Sequence, residues 1–223
     1  MVDMRENDEI TALLDGLPVE RWGTADLGRL GGCAPHGYGV ALVLIAALSP
    51  SVPPPGSTRY EEAAYHAAET AAAKVLNDSV AALVGLLDGL GIENFRVHGQ
   101  DEVTLSACFQ QKTAATLAGL GWTGRNSMLV CDGFGPRVEI ATVLAAHGPA
   151  GGEPVTESLC GSCDLCVEAC PAGALKGGTW RPGIGRDALI DAFACDRWRR
   201  SHIPSLGRKH SCWLCAAACP VGG

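Results

Sequence analysis

Hydrophobic and polar positions recur along the chain with two distinct periods, and the period predicts the elements. Residues 7–17, "NDEITALLDGL", space their apolar positions as one face of a short helix. "GVALVLIAAL" (39–48) is a continuous apolar run of strand length, which predicts a strand covered on both faces. The proline-rich "SPSVPPPGS" that follows is a loop, because proline cannot continue a ladder. A long helix comes next. Thr58 and Glu61 have capping-box spacing, and Ala72, Val75, Leu76, Val80, Leu83, Val84 and Leu87 keep an apolar face until Gly89 and Gly91 stop it. Asn77-Asp78 is a candidate break within it. "FRVHG" reads as a short strand and "ACFQQKTAATLAGLG" as a helix ending at Gly119 or Gly121. "SMLVC" and "RVEIATVLAA" read as two strands around the turn "DGFGP", a predicted hairpin. "GPAGGEP" (148–154) has the composition of a linker.

Helices and strands thus mix as far as His147, and cysteine-rich turns follow. The pattern predicts an α/β or α+β domain over residues 1–150 and a small metal-binding domain over 151–223. Apolar residues make up 47% and charged residues 18%, as in an ordinary globule. A net charge of −7 gives no whole-molecule attraction to nucleic acid or to a membrane surface. "MVDMRENDEI" has neither the basic start nor the apolar core of a secretory signal, and the longest apolar run, Gly37 to Leu48, is too short to span a bilayer. A cytoplasmic location is therefore expected.

In that compartment eleven cysteines argue for metal ligation rather than disulfides. Eight of them fall in the last 64 residues. Cys160, Cys163, Cys166 and Cys170, followed by Pro171, fit C-x2-C-x2-C-x3-C-P, the run that ligates [4Fe–4S] clusters in bacterial ferredoxins. Cys212, Cys215 and Cys219, followed by Pro220, repeat its last part, and Cys195 lies upstream across a sixteen-residue insertion. In such pairs the fourth cysteine serves the other cluster. The expected ligand sets are therefore Cys160, Cys163, Cys166 and Cys219 for one cluster, and Cys195, Cys212, Cys215 and Cys170 for the other. Two Zn(Cys)4 sites are the alternative, although zinc knuckles need no cysteines at these third and fourth positions. From Trp180 to Ser211 seven basic residues (Arg181, Arg186, Arg197, Arg199, Arg200, Arg208, Lys209) face three acidic ones, Asp187, Asp191 and Asp196. That excess either raises the cluster potentials or is a plainly solvated face, or else it docks an acidic electron donor or an RNA backbone.

"AGLGWTGRNSMLVCDGFGPRVEIATVLA" (118–145), the split cysteine tail, and more weakly "RYEEAAYHAAE" (59–69) together resemble the epoxyqueuosine reductases and reductive dehalogenases. The resemblance implies a nitroreductase-like domain followed by a ferredoxin-like double-cluster domain. It also implies a cobalamin at their junction, reduced through the clusters. By position it places Gly119, Gly121, Trp122, Gly124, Arg125 and Asn126 beside the corrin or its nucleotide tail, with a flavin nucleotide as second choice. A tight turn without a ligand explains the glycines equally. Two departures stand out. Counting back from Trp122 to the position of the acid thought to donate a proton lands on Leu105, and the helical-repeat extension of epoxyqueuosine reductase does not follow Pro220.

The remaining candidates are Cys33 with His36, more simply a loop cysteine; Cys108 and Cys131, read as core; and His66 and His98, the best remaining proton carriers. Two functions compete. In one, an oxidoreductase passes single electrons through two clusters to a cofactor or substrate, with a ferredoxin or flavodoxin as donor. In the other, a carrier or reductive activator serves a partner corrinoid protein and binds no corrinoid itself. Either way epoxyqueuosine is not the expected substrate.

Overall fold

The computed structural model describes residues 4–30, 37–48, 62–99, 104–105, 107–202 and 212–222. Packing divides the chain into two units that do not follow chain order. One comprises Met1–Ala46, Ala73–Leu120 and Glu139–Val155; the other comprises Ala47–Ala72, Gly121–Val138 and Thr156–Gly223. The expected boundary near residue 150 was one of sequence, whereas the packing adds two earlier stretches to the cysteine-rich tail.

The first unit begins with α1 (Met4–Gly16), which buries Ile10 and Leu14 one turn apart. Its sheet has the order β1 (Arg21–Asp26), β2 (Val40–Ala47), β6 (Val138–Ala145), β3 (Asn94–Arg96). β1 and β2 are antiparallel, as are β3 and β6. Between the two middle strands, Gly39 N donates to Ala145 O and Leu48 N to Arg137 O, an antiparallel pattern as well. The fold is mixed and its sheet antiparallel. The apolar run in β2 does mark a strand buried on both faces, from Ala41 to Ala46; two-sided burial sets that run, not strand direction. β1 has no strand signature in the sequence, because "RWGTAD" neither alternates nor runs apolar.

α2 (Glu62–Gly89) is one unbroken helix. Asn77 and Asp78 do not interrupt it, since both are exposed opposite the buried stripe Leu76, Val80, Leu83 and Leu87. Gly91, at φ +71°, closes its end while Ile92 N donates to Leu87 O. The proposed cap at Thr58 and Glu61 lies outside the described residues. Among those residues Ala63–Gly89 is the one helix long and apolar enough to cross a membrane by length and composition, although it buries an apolar stripe here. Its alanines carry the apolarity between scattered polar positions, so no single apolar run revealed it.

α3 (Gln111–Leu117) packs on β1 and ends at Gly119, φ +77°. It starts four residues later than the sequence pattern predicts, which leaves Cys108 exposed and puts Phe109 in the core instead. Residues 148–154 are packed rather than a free linker. Val155 N donates to Thr116 O, and a Cβ on Gly152 would stand 2.7 Å from Ala118 O.

In the second unit β4 (Trp122–Thr123) pairs with β5 (Leu129–Val130). The hairpin expected between 127–131 and 137–146 does not form, because β5 turns back on β4 while β6 joins the main sheet. Short helices α4 (Leu165–Glu168) and α6 (Leu214–Ala217) pack together, and α5 (Ala192–His202) occupies the start of the insertion.

Candidate metal centre

Each cysteine motif folds the same way. Ala169 N donates to Leu165 O and Ala218 N to Leu214 O, closing α4 and α6; then Cys170 N donates to Val167 O and Cys219 N to Ala216 O. Cys163, Cys166 and Cys170 therefore have counterparts 49 residues on, at Cys212, Cys215 and Cys219. The counterpart of Cys160 is Lys209, and Cys195, in the first turn of α5, takes over as the fourth thiol of the second motif.

The thiols gather across the two motifs. Burial pushes the Cys166 thiol up to about 11, and the thiols facing it are those of Cys160, Cys219 and Cys163. Burial also raises Cys215, whose facing thiols are Cys212, Cys195, Cys166 and Cys170. Cys195, raised by burial too, has Cys170 as its leading thiol neighbour. Cys219 thus stands with the first motif and Cys170 with the second. A recess of about 390 Å³, counted to its open mouth, is lined by Cys170, Cys195, Cys212 and Cys215 together with Asn126 and Trp198. Among the described residues no group of three or more His, Cys, Asp or Glu side chains is placed to hold one metal ion.

Hydrogen bonds reach the sulfurs from outside the motifs. Trp122 Nε1 donates to Cys160 Sγ at 3.4 Å, Ala174 N donates to Cys170 Sγ at 3.4 Å, and the Val221 backbone donates to Cys219. Met128 Sδ lies 3.9 Å from Cys215 Sγ.

The loop that the resemblance assigns to a cofactor forms part of this wall. Gly124 N donates to Met128 O and Ser127 N to Gly124 O, making residues 124–128 the tight connection of the β4–β5 hairpin. Asn126 Oδ1 accepts from Met128 N, and the Arg125 guanidinium pairs with the Asp164 carboxylate between Cys163 and Cys166. The chain itself needs the glycines. A Cβ on Gly119 would stand 2.7 Å from Glu153 O, one on Gly121 would overlap Val130 O, and one on Gly124 would stand 2.7 Å from Asn126 Oδ1.

Four further residues fall within stretches that carry the resemblance, yet nothing there singles out a role for them. Arg137 is buried, and its Nη2 donates to Val221 O at 3.3 Å and Gly222 O at 2.7 Å. Its pKa is lowered by burial, against the opposing pull of Tyr65 and Cys219. Tyr65 is stacked on Trp213 with ring centroids 5.9 Å apart, and burial raises its phenol. Trp213 Nε1 donates to Glu69 Oε2 at 3.5 Å. The 65/69 spacing, one helical turn on the buried face of α2, is the one signal that pointed inward. Of the other candidates, Cys131 is buried, His66 half-buried and His98 exposed against the edge of Phe95. Leu105 is buried at φ +53°. Cys33 and His36 lie outside the described residues.

Residues 159–222 match the family model of the 4Fe-4S double cluster binding domain. The epoxyqueuosine reductase of Listeria monocytogenes is 33% identical over 109 residues, which are 48% of this chain and 28% of that protein. The chain thus spans less than a third of that curated relative. The crystal structure of epoxyqueuosine reductase with an epoxyqueuosine-modified tRNA-Tyr stem loop superposes with a TM-score of 0.62 at 19% identity, covering 98% of this chain and 65% of the other. A reductive dehalogenase whose structure suggests a mechanism for B12-dependent dehalogenation gives 0.61 at 16% identity, covering 85% and 28%. The chain carries a double-cluster iron–sulfur domain, about half of it is similar in sequence to epoxyqueuosine reductase, and its fold is like those of epoxyqueuosine reductase and a reductive dehalogenase.

Proposed function

We propose that the chain is a cytoplasmic oxidoreductase component that holds two [4Fe–4S] clusters in crossed ligand sets and passes single electrons through them. Cys160, Cys163, Cys166 and Cys219 hold one cluster; Cys170, Cys195, Cys212 and Cys215 hold the other. The observation that carries this reading is the recess lined together by Cys170, Cys195, Cys212 and Cys215, which brings the last cysteine of the first motif to the second. Each cluster ligates four thiolates through four separate irons and supplies one-electron chemistry when bound. The chain's own residues keep water from Cys166, donate N–H groups to Cys160, Cys170 and Cys219, and fix the turns that present the sulfurs.

The electron acceptor is proposed from the relatives. Cobalamin comes first, as the B12-dependent dehalogenation of one structural neighbour suggests, and a flavin nucleotide second. A ferredoxin or flavodoxin is the proposed donor. Its docking would use the exposed Arg197 of α5; Arg199 and Arg200 are both tied to Asp196, which shrinks the basic patch read from the sequence. The second reading, a carrier or activator for a partner corrinoid protein, is favoured by one observation. Trp122, Arg125 and Asn126, assigned to the corrin by resemblance, are engaged with the cysteine turns. Leu105, buried and apolar, offers no proton where the acid was sought, so turnover of epoxyqueuosine in tRNA is not expected.

The test is anaerobic purification with iron, sulfide, cobalt and zinc analysis, followed by cobalamin titration. The expected result is about eight iron and eight sulfide per chain, from two four-iron clusters. Stoichiometric zinc without iron would refute the proposal. Cys219→Ser is expected to perturb the cluster whose other ligands are Cys160, Cys163 and Cys166, and Cys170→Ser the other. If each change struck the cluster of its own motif, the crossing would be wrong. Corrin binding by the isolated protein would select the enzyme, and its absence with both clusters loaded would select the carrier.

A further inference from the structure

Reduction of either cluster adds one electron, and so one negative charge, to a group already made anionic by four thiolates. A fixed cation nearby favours that step, and burial away from water opposes it. Among the described residues the charges around the two thiol sets are unequal. Near Cys195 the guanidinium is Arg199, but it forms an ion pair with Asp196 at 2.7 Å, and Asp191 and Asp196 both act on Cys195 in the opposite sense. Arg125, beside Cys163, is likewise neutralised by Asp164. Arg137 differs from both. Its side chain is buried at 8% exposure, its hydrogen bonds go to the neutral carbonyls of Val221 and Gly222, and among the described residues it has no carboxylate partner. Its Nη1 is buried with no hydrogen-bond partner among those residues, the condition of a donor that an anion would satisfy. The thiol within its field is Cys219, two residues before the Val221 carbonyl it holds, whereas Cys215 is not among the groups that act on it.

We infer that Arg137 sets the order of the two reduction potentials, making the cluster ligated by Cys160, Cys163, Cys166 and Cys219 the more easily reduced. The inference rests on the two-cluster reading above. Arg137 also grips the segment that follows Cys219 through two carbonyls, so it acts on the cluster as a positioning residue as well as by charge. A lysine there keeps the charge and loses the fork; a methionine loses both and keeps the volume.

The experiment is an anaerobic redox titration of the loaded full-length protein followed by electron paramagnetic resonance. In the unmodified protein the signal that appears first on reduction is expected to be the one altered by Cys219→Ser and untouched by Cys170→Ser. Arg137→Met is expected to weaken reduction of that cluster at least tenfold, which is 59 mV for one electron, and to shift the other less. Arg137→Lys is expected to keep most of the potential. The inference is overturned if the first signal belongs to the Cys170 cluster, if Arg137→Met moves neither potential, or if the lysine variant falls as far as the methionine one. Should Arg137→Met not assemble its cluster, the order measured in the unmodified protein decides. An iron content below two clusters would instead count against the two-cluster reading.

Discussion

Gly135, in the turn of "DGFGP", lies where adding one methyl group tests how the cysteine tail is held. Its φ is +61°, and a Cβ there would overlap the Val221 carbonyl, two residues past Cys219. The turn cannot yield easily, because Gly135 N donates to Cys131 O at 2.7 Å and Cys131 N to Gly135 O at 2.9 Å. For Gly135→Ala the left-handed backbone costs about 1–2 kcal/mol, and forcing the overlap apart adds about 1–3 kcal/mol. The expected loss is therefore about 2–5 kcal/mol, a large share of the roughly 5–15 kcal/mol that holds a domain folded. The control is the same change at Gly85, exposed inside α2 with nothing within 4 Å of an added Cβ. There alanine is expected to stabilise by about 0.5–1 kcal/mol, through helix propensity alone. Urea unfolding of the apoprotein reads both. Midpoints are the quantity to compare, since a chain of two packed units need not unfold in one step. After reconstitution Gly135→Ala is also expected to lose iron first from the cluster that uses Cys219. A Gly135→Ala midpoint at or above that of the unmodified protein would refute the reasoning, whatever Gly85→Ala does.

Two shorter expectations follow from the same site. Trp122→Phe keeps an aromatic ring in place but removes the N–H donated to Cys160 Sγ at 3.4 Å. The potential of the Cys160 cluster is expected to fall while the other holds; equal potentials before and after would show the bond has no bearing on it. In the apoprotein the Cys166 thiol, raised by burial to about 11 from an ordinary 9.0, keeps its proton in the folded state after the unfolded chain has released it. Stability from this group is whole below pH 9 and is lost as pH rises toward 11, about 3 kcal/mol across that window. Unfolding midpoints that rise with pH over that interval would contradict it.

Seven of the eight clustered cysteines were legible because their spacing is local: the turns that aim the sulfurs are closed by bonds three and four residues apart. β2 and α2 were legible because burial imposes a period on each. What the sequence could not show was decided by partners far along the chain. β5 is two residues long and pairs with an equally short β4, so no strand period survives to mark either. "GPAGGEP" reads as flexible, yet Gly151 and Gly152 are there because the backbone at Thr24 and Ala118 approaches too closely for a side chain. The glycines of "GLGWTG" carry the same ambiguity. Glycine reports that something comes close; it does not report whether the visitor is a ligand or the protein itself. Arg137, Tyr65 and Glu69 are single residues with no repeat, and burial beside the thiols is what makes them matter.

A span of 64 residues is small for a core of its own, and such domains lean on metal or on outside surface for stability. Here the outside surface comes from within the same packed unit. Trp122 covers Cys160, Met128 touches Cys215, Arg137 grips the carbonyls after Cys219, and Tyr65 and Glu69 hold Trp213 between Cys212 and Cys215. These contacts divide between the two thiol sets and differ in kind: an indole donor and a cation on one, a thioether and an aromatic stack on the other. Two clusters with the same ligands are distinguished by what surrounds them, because net charge, hydrogen bonds to sulfur and exposure set the potential. The cysteine spacing therefore fixes that two clusters can be held. The order of the two proposed potentials is expected to depend on residues between 65 and 137, outside the span 159–222 that the double-cluster family describes.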